Sequence, residues 1–187
     1  MYAALTYIVP FLQSVTGISD ALISVFLLAY GLATAAGSFG GGRFADTNAA
    51  RTLVIATSGV AIFLLALYLV GAIALLVVPA LVAWGTFGFG MAPSLQYRTV
   101  SLAGPGGQLA SSLPASAINL GIAFGSFLGG VAIGSFTASA AVIAGMIIAV
   151  ISVPVAWATG HLKPPGLEPT ANPASGVQPA TEPAQVS

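Results

Sequence analysis

Cysteine is absent from the 187 residues, and only eight side chains are formally charged, four basic and four acidic. The first absence excludes disulfides and thiolate metal sites. The second excludes an ordinary soluble domain, in which about a quarter of residues are charged. Net charge is zero, which leaves no electrostatic case for nucleic acid. Met1 is followed directly by apolar residues with no basic flank, so no cleavable signal peptide is expected.

What is present is apolar: 57% of the chain is hydrophobic. The few charges divide it. Gly40-Gly41-Gly42-Arg43-Phe44-Ala45-Asp46-Thr47-Asn48-Ala49-Ala50-Arg51 holds three of the eight, between two long uncharged runs. This polar island predicts a loop between two membrane spans. A spanning helix needs about 20 apolar residues at about 1.5 Å each. Residues 21–42 suffice for one crossing, 52–97 for two, and 99–161 for two more. Residues 1–12 make about 18 Å of helix, roughly half the hydrocarbon thickness, and are expected to be the second half of a span.

The expected fold class is therefore all-α, a polytopic transmembrane helix bundle over residues 1–159. Its spans fall at about 1–13 (partial), 21–39, 52–70, 72–95, 109–133 and 138–159. Ser19-Asp20 is placed as a helix N-cap. Gly71 marks one turn, and Gly134-Ser135-Phe136-Thr137 another. Residues 160–187 contain six prolines among Glu, Thr, Ser and Gln. They cannot bury enough apolar surface to fold and are expected to be a disordered tail. Alternating crossings put Arg43, Arg51, Arg98 and Lys163 on one side, which identifies it as cytoplasmic, with the C-terminus. The expected location is the cell membrane.

Polar residues at mid-span mark a candidate substrate cavity. Tyr30, Thr34 and Ser38 share a face of the second helix, and Tyr2 and Thr6 lie one turn apart on the first. Trp84 and Thr86 sit in the fourth, while Ser112, Ser116 and Asn119 share a face of the fifth. Counting inward from the loops puts Tyr2, Thr6, Tyr30, Trp84 and Asn119 at similar depth. Several polar groups at one depth on different helices fit a substrate site. Interhelical hydrogen bonding, at about 0.6–2 kcal/mol each, is the plainer account of any single Ser or Thr. Gly121, Gly125 and Gly129 form a small-residue row that lets helix backbones approach closely. Pro79, Pro114 and Pro154 are expected to kink their helices.

Certain residues carry a resemblance. They are Thr6-Tyr7-Ile8-Val9-Pro10-Phe11-Leu12 with Thr16-Gly17, then Tyr30-Gly31, then Gly41-Gly42-Arg43-Phe44-Ala45-Asp46. Trp84-Gly85, Gly88, Gly90, Pro93, Gln96-Tyr97-Arg98 and Asn119-Leu120-Gly121 follow, with Gly125 and Gly129-Gly130. In order and spacing these resemble the C-terminal half of a major facilitator superfamily transporter, of the arabinose-efflux and chloramphenicol-resistance type. The charged loop resembles the family motif G-x-x-x-D-[RK]-x-G-[RK]-[RK], with Gly42, Asp46 and Arg51 at its first, fifth and tenth positions. Thr47, Ala49 and Ala50 depart from it.

The resemblance implies that Asp46 is part of a cytoplasmic gate. The plainer alternative is that it caps the helix beginning near Ala49 while Arg51 anchors topology. It also implies secondary active efflux of small molecules such as drugs or sugars, an antiporter, with a missing N-terminal six-helix half as partner and the chain as a fragment. No span contains an Asp, Glu, Lys, Arg or His, so proton carriers and catalytic groups are not expected within it. No enzyme activity, cofactor or metal is expected. A different class remains open, a non-transporting packing or assembly subunit whose glycine row binds another membrane helix.

Overall fold

A computed structural model describes residues 1–135 and 138–163; Phe136, Thr137 and residues 164–187, which hold all but the first four residues of the expected tail, lie outside that description. Among the described residues the chain is helical, with no strand. Two short helices, α1 (Tyr2–Thr6) and α2 (Ile8–Ser14), precede the long helices α3 (Asp20–Val70) and α4 (Ala74–Leu102). A 3-10 turn (Gly104–Gly106) and α5 (Gly107–Ala110) lead to α6 (Leu113–Ser135) and α7 (Ala138–Gly160). Among the described residues four helices, α3, α4, α6 and α7, are long and apolar enough to cross a membrane.

The first polar boundary differs from the expected loop. Helix runs through Gly40 to Thr47 and resumes at Ala49, with Asn48 alone outside helical geometry (φ −158°, ψ 88°). The two arms of α3 fold back on one another at this residue. Gly37 faces Thr86 while Gly59 faces Phe87, so points 22 residues apart in α3 reach adjacent residues of α4. A straight helix would hold them about 33 Å apart. Asn48 Oδ1 accepts the Arg51 amide at 2.9 Å, the N-cap bond to the third helical residue. Asn48, not Asp46, therefore caps the second arm.

Prolines act differently from one another. Pro114 sits in the first turn of α6, where its missing donor costs nothing. Pro10 is the third residue of α2, in the first turn after the break at Tyr7 (φ −112°, ψ 18°), where it likewise gives up no helical hydrogen bond. Pro79, Pro93 and Pro154 are accommodated inside α4 and α7. Ser19 is the N-cap of α3 through its backbone carbonyl, which accepts the Leu22 and Ile23 amides at 3.0 and 3.1 Å. Its hydroxyl does not cap, and Asp20 instead accepts from Gln13 Nε2 at 2.9 Å.

The core joins α1, α2, both arms of α3, α4 and α7 through Ala4, Phe11, Phe26, Leu64, Leu81, Trp84 and Val142. Along the second arm of α3, Leu53, Ala56, Val60, Leu64 and Leu67 turn inward, the i, i+3, i+4 stripe of a packed helix. Ile55, Ile62, Leu65 and Leu69 on its other side are exposed, as are Leu28, Leu32, Leu75 and Phe39, the last at 84%. Exposed apolar side chains in such number suit hydrocarbon, not water. The chain is a multi-pass membrane protein.

All four basic residues gather at one end of the bundle. Asp46, Asn48, Arg98 and Leu162 line one recess of about 220 Å³, and Arg98 donates to the Thr159 carbonyl at the end of α7. Arg43 and Arg51 lie within a turn of this recess, and Lys163 follows Leu162. A cation on the last carbonyls of a helix is favourably placed against its dipole.

Candidate functional site

Glycine fixes how the two most polar helices meet. A Cβ at Gly37 or Gly41 would collide with the backbone of Thr86 or Gly90, so α3 and α4 touch main chain to main chain. Thr86 Oγ1 bonds its own helix at Val82 O (2.9 Å) and reaches the Ala33 carbonyl at 3.4 Å. This close crossing, invisible as a periodic signal in so glycine-rich a chain, brings Tyr30 to Trp84. Their ring centroids lie 5.4 Å apart with planes inclined by 40°. Both are buried, and neither the Tyr30 hydroxyl nor the Trp84 Nε1 has a hydrogen-bond partner. Gly85 leaves room for the Tyr30 ring and the Thr34 methyl. Met1 packs over Gly88, which puts neighbouring Tyr2 beside the same group.

Thr6 belongs to a second polar contact. Its hydroxyl donates to the Tyr2 carbonyl at 3.0 Å and meets Ser126 Oγ at 2.9 Å. Tyr7 donates to the Ser126 carbonyl at 2.9 Å, so the end of α1 is held to α6 by two hydrogen bonds. Ser126 was not among the sequence candidates. Its position one residue after Gly125, on the row that packs against α1, was the available signal.

Ser116 and Asn119 are not brought to these groups. Both are exposed on α6, and the Ser116 hydroxyl donates to the Ser112 carbonyl at 3.2 Å. Gly125 lies against Ala3, and Asn119 precedes it by six residues, about 9 Å along the helix. Asn119 is therefore level with no part of α1, contrary to the equal depth expected from counting. Counting from loops assumed upright helices of equal overhang, whereas α4 runs on to Leu102 and α6 starts only at Leu113.

The glycine row divides likewise. Gly125 and Gly129 receive Ala3 and Tyr7, with Gly130 beside the Tyr7 hydroxyl, but a Cβ at Gly121 would meet nothing within 4 Å. The row's packing partner is α1 of this same chain.

Gly42, Asp46 and Arg51 surround the bend without forming one cluster. Gly42 faces the Pro93 ring, Asp46 lines the recess shared with Arg98, and Arg51 lines a separate groove between the arms of α3. Arg98, on another helix, thus lines the same recess as the carboxylate.

Comparison with known proteins gives one consistent answer. The chain is 31% identical over 133 residues to the inner membrane transport protein YdhP of Escherichia coli K12, covering 71% of this chain and 34% of that protein. It is 34% identical over 134 residues to the uncharacterized MFS-type transporter YtbD of Bacillus subtilis, covering 70% and 34%. A second Bacillus subtilis MFS-type transporter, YfhI, is 35% identical over 134 residues, covering 70% and 33%. The chain spans about a third of the length of these relatives. No family model and no solved structure matches it.

Proposed function

Since the chain belongs to the major facilitator superfamily, a family of membrane transporters and not of enzymes, we propose that it forms part of an efflux permease for small molecules such as drugs or sugars. In this reading the bundle is the second of two six-helix halves, acts as an antiporter with a missing N-terminal half, and rocks against it around a site near mid-membrane. Its basic end and its C-terminus face the cytoplasm of a cell membrane.

The observation that carries the reading is the pair Tyr30 and Trp84, two buried donors without partners at the crossing of α3 and α4. A buried polar group left unpaired costs about 1–3 kcal/mol. A transported molecule that offers an acceptor to either donor offsets that cost. No carboxylate or cation lies within the described helices beside this pair, which favours a neutral or weakly polar substrate. Any proton carrier then belongs to the other half.

The cytoplasmic gate is assigned to Asp46 with Gly42 and Arg51, the carboxylate exchanging its contacts at the bend as the halves rock. Substrate contacts are assigned to Tyr2, Thr6, Tyr30, Thr34 and Trp84, with Ser116 and Asn119 exposed on the face of α6 toward a partner half.

The test is drug or sugar accumulation in cells expressing the bundle together with a six-span N-terminal half. Lower accumulation with the wild-type bundle, restored by Trp84→Ala or Asp46→Asn at equal membrane abundance, supports the proposal. Flux indifferent to both substitutions overturns it. The alternative, a packing or assembly subunit working through its glycine row, is disfavoured because Gly125 and Gly129 are already covered by α1.

A further inference from the structure

A second cavity shares Thr47 and Asn48 with the recess that holds Asp46 and takes in Arg51 of the gate motif. It is a half-open groove of about 690 Å³ between the two arms of α3, with α4 as its floor. Its polarity changes along its length. Thr47, Asn48, Arg51 and Thr52 cluster at the bend, and beyond them the walls are apolar, from Phe44 and Ile55 to Gly40 and Ala36. Phe44 and Ile55 are 66% and 51% exposed and form the lips that open toward hydrocarbon. Thr86, at the far end, already satisfies its hydroxyl within α4.

Such a groove does not stay empty in a membrane. Bare walls lose their dispersion contacts, and apolar walls do not retain water. Length and polarity point to the membrane component that fills it. Asn48 to Ala36 is 12 residues, about 18 Å of helix, close to the depth of one leaflet in a hydrocarbon core about 30 Å thick. The polar residues stand at one end of that length and the apolar walls along the rest. This is the order of a lipid, headgroup first and acyl chain after. Arg51 at the mouth supplies the charge for a phosphate.

We propose that this groove is a lipid site, holding one acyl chain of an anionic phospholipid whose phosphate engages Arg51. The inference requires only that the chain crosses a membrane, and it stands or falls independently of the transport reading. It is a grip on the bend of α3, next to the recess that holds Asp46, so an occupied groove braces the two arms at that end.

The test reconstitutes the full chain into vesicles of mixed phosphatidylglycerol and phosphatidylcholine, extracts it gently, and counts retained lipid by native mass spectrometry. Wild type is expected to keep one phosphatidylglycerol per chain, preferred about fivefold over phosphatidylcholine, the scale of one basic residue against an anionic lipid. Arg51→Gln should bring the preference to about one while a lipid is still retained. Gly40→Leu should lose the lipid whatever its headgroup; a Cβ there meets nothing within 4 Å, so the side chain enters the groove without disturbing the backbone. Arg43→Gln, outside the groove, should leave the preference unchanged.

Equal retention by all four proteins overturns the proposal, as does an equal loss of preference from Arg43→Gln and Arg51→Gln. The chain lacks cysteine, so Ala36→Cys gives a single probe of the groove. Its cross-linking to a polypeptide, in place of a photoactivatable phosphatidylglycerol, would assign the groove to a protein partner instead.

Discussion

Tyr30 and Trp84 meet at 5.4 Å between centroids, their planes inclined by 40°, and their polar ends are both buried and unpaired. Fold and function make opposite demands on the hydroxyl of Tyr30. Removing an unpartnered buried polar atom is neutral or stabilising for the fold. Tyr30→Phe should therefore leave thermal unfolding in detergent unchanged or raise its midpoint, while weakening substrate affinity about fivefold to tenfold, the loss of one hydrogen bond. A fall in both would show that the hydroxyl is structural. Trp84→Ala should destabilise by about 3–5 kcal/mol through the cavity it leaves.

The close crossing of α3 and α4 predicts a sharp contrast among glycines. Gly41→Leu drives a side chain into the backbone of Gly90, and overpacking of this kind costs about 1–3 kcal/mol or more. Gly121→Leu, with nothing within 4 Å, should be neutral or stabilising by up to about 1 kcal/mol, the helix propensity gained. Unfolding of the two variants in a detergent titration measures the difference. Similar losses would count against the crossing.

At the bend, Asn48→Ala removes the cap on the Arg51 amide and should cost about 1 kcal/mol. Asn48→Asp keeps an oxygen in the same place and should recover most of it. Limited proteolysis between Phe44 and Thr52 gives a local readout, expected to quicken in the alanine variant alone.

Thr6 and Ser126 should couple weakly. In membrane bundles such hydroxyl pairs average about 0.6 kcal/mol in double-mutant cycles. Thr6→Ala and Ser126→Ala, alone and together, should yield a coupling near that value. A coupling of zero would mean that the 2.9 Å contact contributes nothing in lipid.

Sidedness is checked with single cysteines in this cysteine-free chain. Asp20→Cys should react with an impermeant maleimide added to intact cells. Thr47→Cys should react only after the cells are opened. The reverse pattern would invert the threading and remove the gate assignment.

How far a sequence can be read here depended on which force set each feature. Scarcity of charge alone determined that the chain lies in a membrane, because about 20 apolar residues per crossing is a requirement of the bilayer and not of any neighbour. The grouping of Arg43, Arg51, Arg98 and Lys163 followed from the same count, and the structure gathers their segments at one end. Motif order carried the family, through residues such as Trp84-Gly85 and Gly42 with Asp46. Which glycine of the row packs, why Ser126 matters and Asn119 stands apart, and where the groove at Arg51 opens were all left to tertiary structure. These depend on helix offsets and on which faces meet, and in a chain apolar on every side no periodic pattern tells one face from another.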